Sequence, residues 1–142
     1  MPDSLTNILV HVTFSTKSRM PLIPMEHRFL LFERMNEIIR EFGGRPIVTG
    51  GVEDHIHFLS TLSLELTPPA FIGQIKGASS FWIKKQLWFQ TGFAWQKGYG
   101  AFSVSPSHVE KVKAYILNQE THHRNMSFDD EFFRLSQRNT VE

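Results

Sequence analysis

Runs of β-branched and aromatic residues alternate along the chain with segments whose apolar residues recur every three or four positions. The runs are typical of strands, and their short polar boundaries are typical of turns. Glycines and acidic residues at 50–54 separate two of the runs, which indicates a hairpin between them. The predicted strands are residues 8–16, 45–52, 55–63 and about 99–105.

The segments with helical spacing predict four helices. Gly43 and Gly44 are expected to end the first helix, and Ser107 with Glu110 forms a possible capping box for the third. Ser127, followed by acidic residues, is expected to cap the last helix. The predicted helices are residues 25–42, about 70–89, 107 to about 123, and a short one that begins at 127.

The order of these elements is β-α-β-β-α-β followed by two helices. It predicts an α+β fold, a ferredoxin-like or RRM-like split βαβ antiparallel sheet with helices on one face and C-terminal helices that carry a tyrosine. The face opposite the first two helices is expected to be open. Since there is no repeat, low-complexity tract or linker, residues 1–142 are expected to form a single domain.

Composition narrows the classes of function. The hydrophobic fraction is 41% and the net charge is +1, so any surface for a polyanion has to be a local patch. The absence of cysteine excludes disulfides, thiolate metal sites and cysteine nucleophiles. Thirteen phenylalanines indicate aromatic packing and an apolar interface. No segment approaches the roughly 20 apolar residues of a membrane span, so we expect a cytoplasmic protein with no membrane partner.

Two histidines, His55 and His57, stand two apart in the third predicted strand. Side chains alternate faces along a strand, so both histidines lie on one face, with Cα atoms roughly 6.6 Å apart. Imidazoles at that spacing can bind one metal ion. The alternative is that both are solvated or hydrogen-bonded strand residues, which is the commoner case for an isolated H-x-H.

Tyr115 and Gln119 are four residues apart in the third predicted helix and therefore share a face. Such a face offers a phenolic nucleophile beside an amide oxygen that can complete a metal shell. A free tyrosine has a pKa near ~10, so it needs a nearby cation to become a nucleophile. The alternative is a boundary aromatic next to an ordinary surface glutamine.

Together these features resemble the small single-tyrosine HUH transposases, the insertion-sequence-200-like family. The resemblance spans nearly the whole chain and is carried by five segments in order. They are HVTFSTKSR, GGVEDHIHFL, QIKGASS, WQKGYGAFSVS and VKAYILNQETHHRNMSFDDEF.

The resemblance implies a function and a set of roles. His55 and His57 match the metal ligands, Gln119 matches the third protein ligand, and Tyr115 matches the nucleophile. The implied metal is Mg²⁺ or Mn²⁺. The implied reaction cleaves and rejoins single-stranded DNA with hairpin ends through a 5′-phosphotyrosine link and a free 3′ hydroxyl. The family forms homodimers in which sheets join edge to edge, and Tyr115 can serve the partner subunit's histidines.

A local DNA-binding patch is also predicted. Basic side chains can neutralise phosphates, Ser79 can donate a hydrogen bond, and Trp95 can stack on an unpaired base. Each of these side chains can equally be ordinary surface or core. The predicted DNA-contacting residues are Lys17, Arg19, Lys76, Ser79, Trp95 and Lys111.

Two rival interpretations remain. The segment KGYGAFSV is similar to an RNA-recognition signature, which favours an RRM-like binding module without catalysis. However, it falls on the fourth strand, whereas that signature belongs on the third. A metal-dependent hydrolase barrel is the other rival, but it needs about 250 residues.

Overall fold

The computed structural model describes residues 5–88, 92–123 and 126–138, which form a four-stranded antiparallel sheet packed by helices. The strand order β2-β3-β1-β4 and the β-α-β-β-α-β element order confirm the predicted α+β fold. The strands are β1 (Leu9–Ser15), β2 (Pro46–Gly51), β3 (His55–Thr61) and β4 (Gly100–Val104). The helices are α1 (Met25–Glu41), α2 (Pro68–Lys84), α3 (Val109–Leu117), α4 (Gln119–His122) and α5 (Phe128–Arg138).

The main core lies between one face of the sheet and helices α1 and α2. Alternate residues of β1, Val10, Val12 and Phe14, point into it beside Ile56 and Phe58 of β3. Because β1 and β3 are the central strands, this face contributes fully buried side chains over its whole length. The hairpin predicted between β2 and β3 is confirmed by their antiparallel pairing.

The opposite face of the sheet is covered as well, by the C-terminal helices. Ile116 of α3 packs there against Val48 and Leu59 in a second apolar cluster. Gly50 makes this approach possible, since a Cβ at this position would lie 2.5 Å from the carbonyl oxygen of Ile116. The expectation of an open histidine face is therefore wrong.

Two expectations for the third predicted helix are also wrong. That segment divides at Asn118, whose φ of −100° and ψ of 24° leave the helical region and separate α3 from α4. The capping box does not form: His108 is the N-cap of α3 without a side-chain cap bond, and the Ser107 hydroxyl contacts the His108 ring. The cap at Ser127 is present, since its Oγ accepts a hydrogen bond from the Asp130 amide.

The second predicted helix is shorter than expected at its C-terminal end. It ends at Lys84, and the predicted end near Phe89 lies outside the described residues. Among the described residues, no helix combines the length and apolar character needed to cross a membrane.

Candidate active site

Three buried side chains bring possible ligand atoms together beneath the C-terminal helices. His55 and His57 extend from the same face of β3, with ring centroids 5.2 Å apart. Glu131, in the first turn of α5, places its Oε1 2.9 Å from His57 Nε2 and 3.3 Å from His55 Nε2. One ligand atom from each residue lies within 4.8 Å of the other two.

Gln119 closes this cluster from α4. Its side chain is 1% exposed, its Oε1 accepts a hydrogen bond from His55 Nε2 at 3.0 Å, and its Nε2 donates to Glu131 Oε2 at 3.0 Å. The change of direction at Asn118 precedes Gln119, so α4 starts at the site. The structure thus places the predicted Gln119 beside the predicted histidines.

Tyr115 lies on α3 at the edge of the same cluster. Its ring centroid is 5.7 Å from that of His57, and its hydroxyl donates a short hydrogen bond to Glu131 Oε2. Burial raises the pKa of Tyr115 well above its ordinary value, and the negative charge of Glu131 raises it further. The phenol is therefore protonated at neutral pH in this arrangement. All four residues predicted for catalysis and metal binding meet within one chain.

The charges in the cluster depend on one another. Burial alone would raise the pKa of Glu131, but hydrogen bonds from His123, His55 and His57 hold it far below its usual range. Burial alone would lower the pKa of His55, yet bonds to Asp54 and Glu131 raise it to about 9. Burial lowers the pKa of His57 below its ordinary value in spite of Glu131. Among themselves, the side chains of the cluster thus balance a carboxylate with an imidazolium.

Each histidine of the pair has a partner on its outer nitrogen. His55 Nδ1 donates to Asp54 Oδ1 at 2.7 Å. His57 Nδ1 lies 2.8 Å from Nε2 of His11, a residue of β1 that is 4% exposed. Burial, with the neighbouring His57, lowers the pKa of His11 to about 3, so His11 is neutral. The Nε2 atoms of both His55 and His57 therefore remain directed at Glu131.

The donor set fits a divalent cation. Two imidazole nitrogens, one carboxylate and one amide oxygen combine ligands of borderline and hard character, which suits Mn²⁺ and also accommodates Mg²⁺. The fit also rests on the convergence of three buried ligand atoms within 4.8 Å.

Sequence reasoning did not single out Glu131 or His11. Acidic residues in the first turn of a helix are accounted for by the helix dipole, so the local pattern at 129–131 carries no sign of a metal ligand. His11 occupies the same face of β1 as Thr13, and only the pairing of β1 with β3 brings it to His57. The sequence offered one sign of the role of His11, which is that His11 lies on a strand that neighbours the H-x-H strand in the predicted ferredoxin-like sheet.

The predicted DNA-contacting residues separate into two groups. In the first, Lys17 and Arg19 lie in the exposed turn after β1, and Lys111 is exposed on α3. Ser18 and Arg19 have φ values of 55° and 51°, in the left-handed region that non-glycine residues rarely adopt. Arg19 forms a salt bridge with Asp129 of α5.

The second group anchors the segment before β4. Lys76 Nζ donates to the carbonyl oxygens of Gln96 and Gly98, at 2.6 and 2.9 Å. Trp95 Nε1 donates to the Oγ of the buried Ser79 at 3.0 Å, and its ring packs edge-on against Phe14 at 4.8 Å. In this structure, therefore, Lys76, Ser79 and Trp95 hold the backbone around residues 95–98.

A groove of about 640 Å³ runs between this segment and α5, and Phe128 on its wall packs against the His55 ring at 4.6 Å. Its lining combines basic, hydroxyl and aromatic side chains. They include Ser18, Arg19, Lys97, Tyr99, Phe128 and Phe132.

Comparison with known proteins covers most of the chain. The family model described as "Transposase IS200 like" matches residues 4–119, and no curated protein matches the sequence. The crystal structure of a candidate transposase from Deinococcus radiodurans R1 has a TM-score of 0.62 at 22% identity, over 84% of this chain and 95% of that one. A REP-associated tyrosine transposase bound to a REP hairpin has a TM-score of 0.62 at 12% identity, over 87% of this chain and 72% of that one. At these identities the two structures establish a shared fold, and the family match establishes that this chain belongs to the IS200-like transposases.

Proposed function

We propose that this protein cleaves and rejoins single-stranded DNA, with Tyr115 as the nucleophile. The observation that carries the proposal is one buried cluster that unites the Tyr115 hydroxyl, two histidines, Glu131 and Gln119. A phenol beside a metal-ligand set is an arrangement that can carry out covalent phosphoryl transfer by tyrosine. Membership of the IS200-like transposases supports this class of reaction, and the cluster supports the choice of residues.

His55, His57 and Glu131 would hold a divalent cation, with the Gln119 amide oxygen as a fourth protein ligand. When bound, the cation would polarise a phosphate oxygen and stabilise the charge that develops on it. Glu131 stands between the histidines and Tyr115, so its carboxylate belongs both to the ligand set and to the surroundings of the nucleophile. The mixed nitrogen and oxygen donors favour Mn²⁺ or Mg²⁺.

The chemical step would exchange one ester bond for another. The Tyr115 oxygen loses its proton and forms a bond to phosphorus, the bond between phosphorus and the 3′ oxygen breaks, and that oxygen takes up a proton. The product is a 5′-phosphotyrosine and a free 3′ hydroxyl. Because the new link conserves the energy of the phosphodiester, the reverse attack by a 3′ hydroxyl can reseal DNA without ATP.

The groove between α5 and residues 96–99 is the path we propose for the DNA strand. Tyr99 and Phe132 offer aromatic surfaces for bases, and Arg19 and Lys97 offer charges for phosphates. Arg19 would exchange Asp129 for a phosphate when DNA binds. The hairpin seen on the REP-associated transposase supports hairpin-bearing single strands as the substrate class.

An RNA-recognition module binds bases across an open sheet face. Here that face is covered, and both histidines are fully buried beneath α3 to α5. This burial favours a catalytic cluster over the binding module.

The experiment is a cleavage assay on labelled single-stranded DNA with hairpins from the gene's flanks, with Mn²⁺ or Mg²⁺. We expect a protein–DNA adduct that survives denaturation and disappears in Tyr115→Phe. Tyr99→Phe is the matched control, because Tyr99 is the only other tyrosine in the chain and phenylalanine keeps the aromatic ring that the groove offers to a base. The Tyr99→Phe variant should still form the protein–DNA adduct.

Two outcomes would overturn the proposal. One is an adduct of equal yield in Tyr115→Phe, which would assign the nucleophile elsewhere. The other is tight DNA binding that ignores the metal and persists in His57→Ala without any adduct. That result would establish a binding module.

A further inference from the structure

His11 contacts the site from a strand that carries none of the predicted catalytic residues. It lies on β1, where the register of β1 and β3 pairs Thr13 with His57 and places His11 one pair further along the same face. Its Nε2 is 2.8 Å from His57 Nδ1, and its ring centroid is 6.0 Å from that of Tyr115. A histidine that is 4% exposed and bonded to a ligand's outer nitrogen is placed to control the orientation of that ligand.

The two histidine ligands have outer partners of different chemistry. Asp54 supports His55, and a carboxylate only accepts hydrogen bonds, so it keeps the His55 proton on Nδ1. His11 supports His57, and a neutral imidazole nitrogen either accepts or donates according to its tautomer. The His57 side of the site can therefore adapt its hydrogen bonding, whereas the His55 side has one fixed arrangement.

We propose that His11 is a positioning residue that orients the His57 ring and sets its tautomer both in the metal-free protein and when a cation is bound. The inference rests on the proposed function, since it assigns His57 Nε2 to the cation. Without the cation, His57 Nε2 faces the Glu131 carboxylate at 2.9 Å and must donate to it. His57 Nδ1 then accepts the proton of His11 Nε2.

Cation binding would reverse the direction of the hydrogen bond between the two histidines. When the His57 Nε2 lone pair is used for the cation, the His57 proton must be on Nδ1, from which it is donated to His11 Nε2. The protons balance: one leaves His57 Nε2, the bridging proton moves from His11 to His57, and His11 takes up one at Nδ1. The net charge of the pair does not change. A phenylalanine at position 11 could neither donate a hydrogen bond to His57 nor accept one from it.

The first measurement is calorimetric titration of Mn²⁺ into the full chain without DNA. We expect His11→Phe to weaken Mn²⁺ binding by about 10–100-fold, as is typical when an outer partner of a metal ligand is lost. His11→Gln, whose amide can also accept or donate, should recover most of the affinity. Thr49→Val is the matched control, since it removes another hydrogen bond of a buried strand residue, the 2.7 Å bond to Asn36, away from the site.

The second measurement is ¹⁵N NMR of the imidazoles in the wild-type chain, with and without Mg²⁺. We expect the His57 proton to move from Nε2 to Nδ1 on binding and the His11 proton to move in the same sense. This readout decides the inference even if His11→Phe fails to fold.

The outcomes separate the inference from the proposed function. Unchanged Mn²⁺ affinity in folded His11→Phe, or a His11 tautomer that is the same with and without Mg²⁺, would overturn the role of His11 alone. A wild-type chain that binds neither cation would overturn both.

Discussion

At the scale of single residues, His55 determines how metal binding depends on pH. Its pKa of about 9 means that the metal-free site holds a proton on His55 at neutral pH. A cation has to displace that proton, so its apparent affinity should rise about tenfold per pH unit and level off above about pH 9. Calorimetry at neutral pH in two buffers of different ionisation enthalpy should detect the released proton. Binding without proton release would contradict this assignment.

The same proton stabilises the metal-free fold. The folded pKa of His55 lies above the ordinary value of 6.5, so its contribution is complete below pH 6.5 and is lost as the pH rises through about 9. The lowered pKa values of His11 and His57 act in the opposite sense and below pH 6.5, so neither of these two histidines contributes above it. We expect Tm in a chelator to fall from pH 6.5 to 9, and to fall less steeply in Asp54→Asn. Equal slopes of Tm against pH in the wild type and in Asp54→Asn would exclude Asp54 as a cause of the raised His55 pKa.

The role of Glu131 as a metal ligand can be tested with a substitution that removes its charge and keeps its shape. Glu131→Gln should weaken Mn²⁺ binding by more than the ~10–100-fold typical of an outer partner, because a ligand itself is lost. Asp130→Asn is the control, since Asp130 is the exposed neighbour on the same helix and should bind Mn²⁺ like the wild type. Mn²⁺ titration of both variants, with circular dichroism to verify folding, makes the comparison. Equal affinities would remove Glu131 from the ligand set.

At the scale of elements, the close approach of α3 to β2 fixes where Tyr115 stands. A Cβ at Gly50 would lie 2.5 Å from the Ile116 carbonyl oxygen, so Gly50→Ala should push α3 away from the sheet. Ile116 follows Tyr115 directly, and displacement of a nucleophile by about 1 Å can cost on the order of 100-fold in rate. We expect adduct formation to fall by about that factor while metal binding changes little.

Gly73→Ala is the control for that substitution. A Cβ at Gly73 meets no atom within 4 Å, and the residue lies inside α2. Alanine there should therefore stabilise the fold by about 0.5–1 kcal/mol and leave adduct formation unchanged. If both alanine variants cleave like the wild type, the α3–β2 contact does not position Tyr115.

Sequence patterning predicted the elements that obey a local rule and missed those set by distant contacts. Strand alternation placed His55 and His57 on one face. Tyr115 and Gln119 meet at Glu131, although the single helix predicted to carry both of them divides between them. The break at Asn118 is not visible in the apolar pattern. Glu131 is 74 residues from His57, so only the folded C-terminal segment shows that its carboxylate belongs to the site.

At the scale of the whole molecule, the two edges of the sheet differ. β2 begins at Pro46 and has an irregular register between Pro46 and Val48, and both features hinder pairing with another strand. The other edge strand, β4, has the sequence GAFSV, which contains neither a charge nor a proline. These features make β4 the edge better suited to pairing with a second copy of the chain.

We predict that two chains pair through antiparallel β4 strands about a two-fold axis, as the family resemblance implies. Ala101 and Ser103 are exposed on β4, so lysine at both positions should repel the equivalent residues of the partner and yield a monomer. The double variant Ala70→Lys and Gln74→Lys adds the same charge to the exposed surface of α2 and should remain dimeric. Sedimentation equilibrium of the three proteins measures the association.

Because the described cluster is complete within one chain, the monomer should still bind Mn²⁺. A wild-type monomer would contradict the predicted interface, and a β4 variant that stays dimeric would place the contact on another surface.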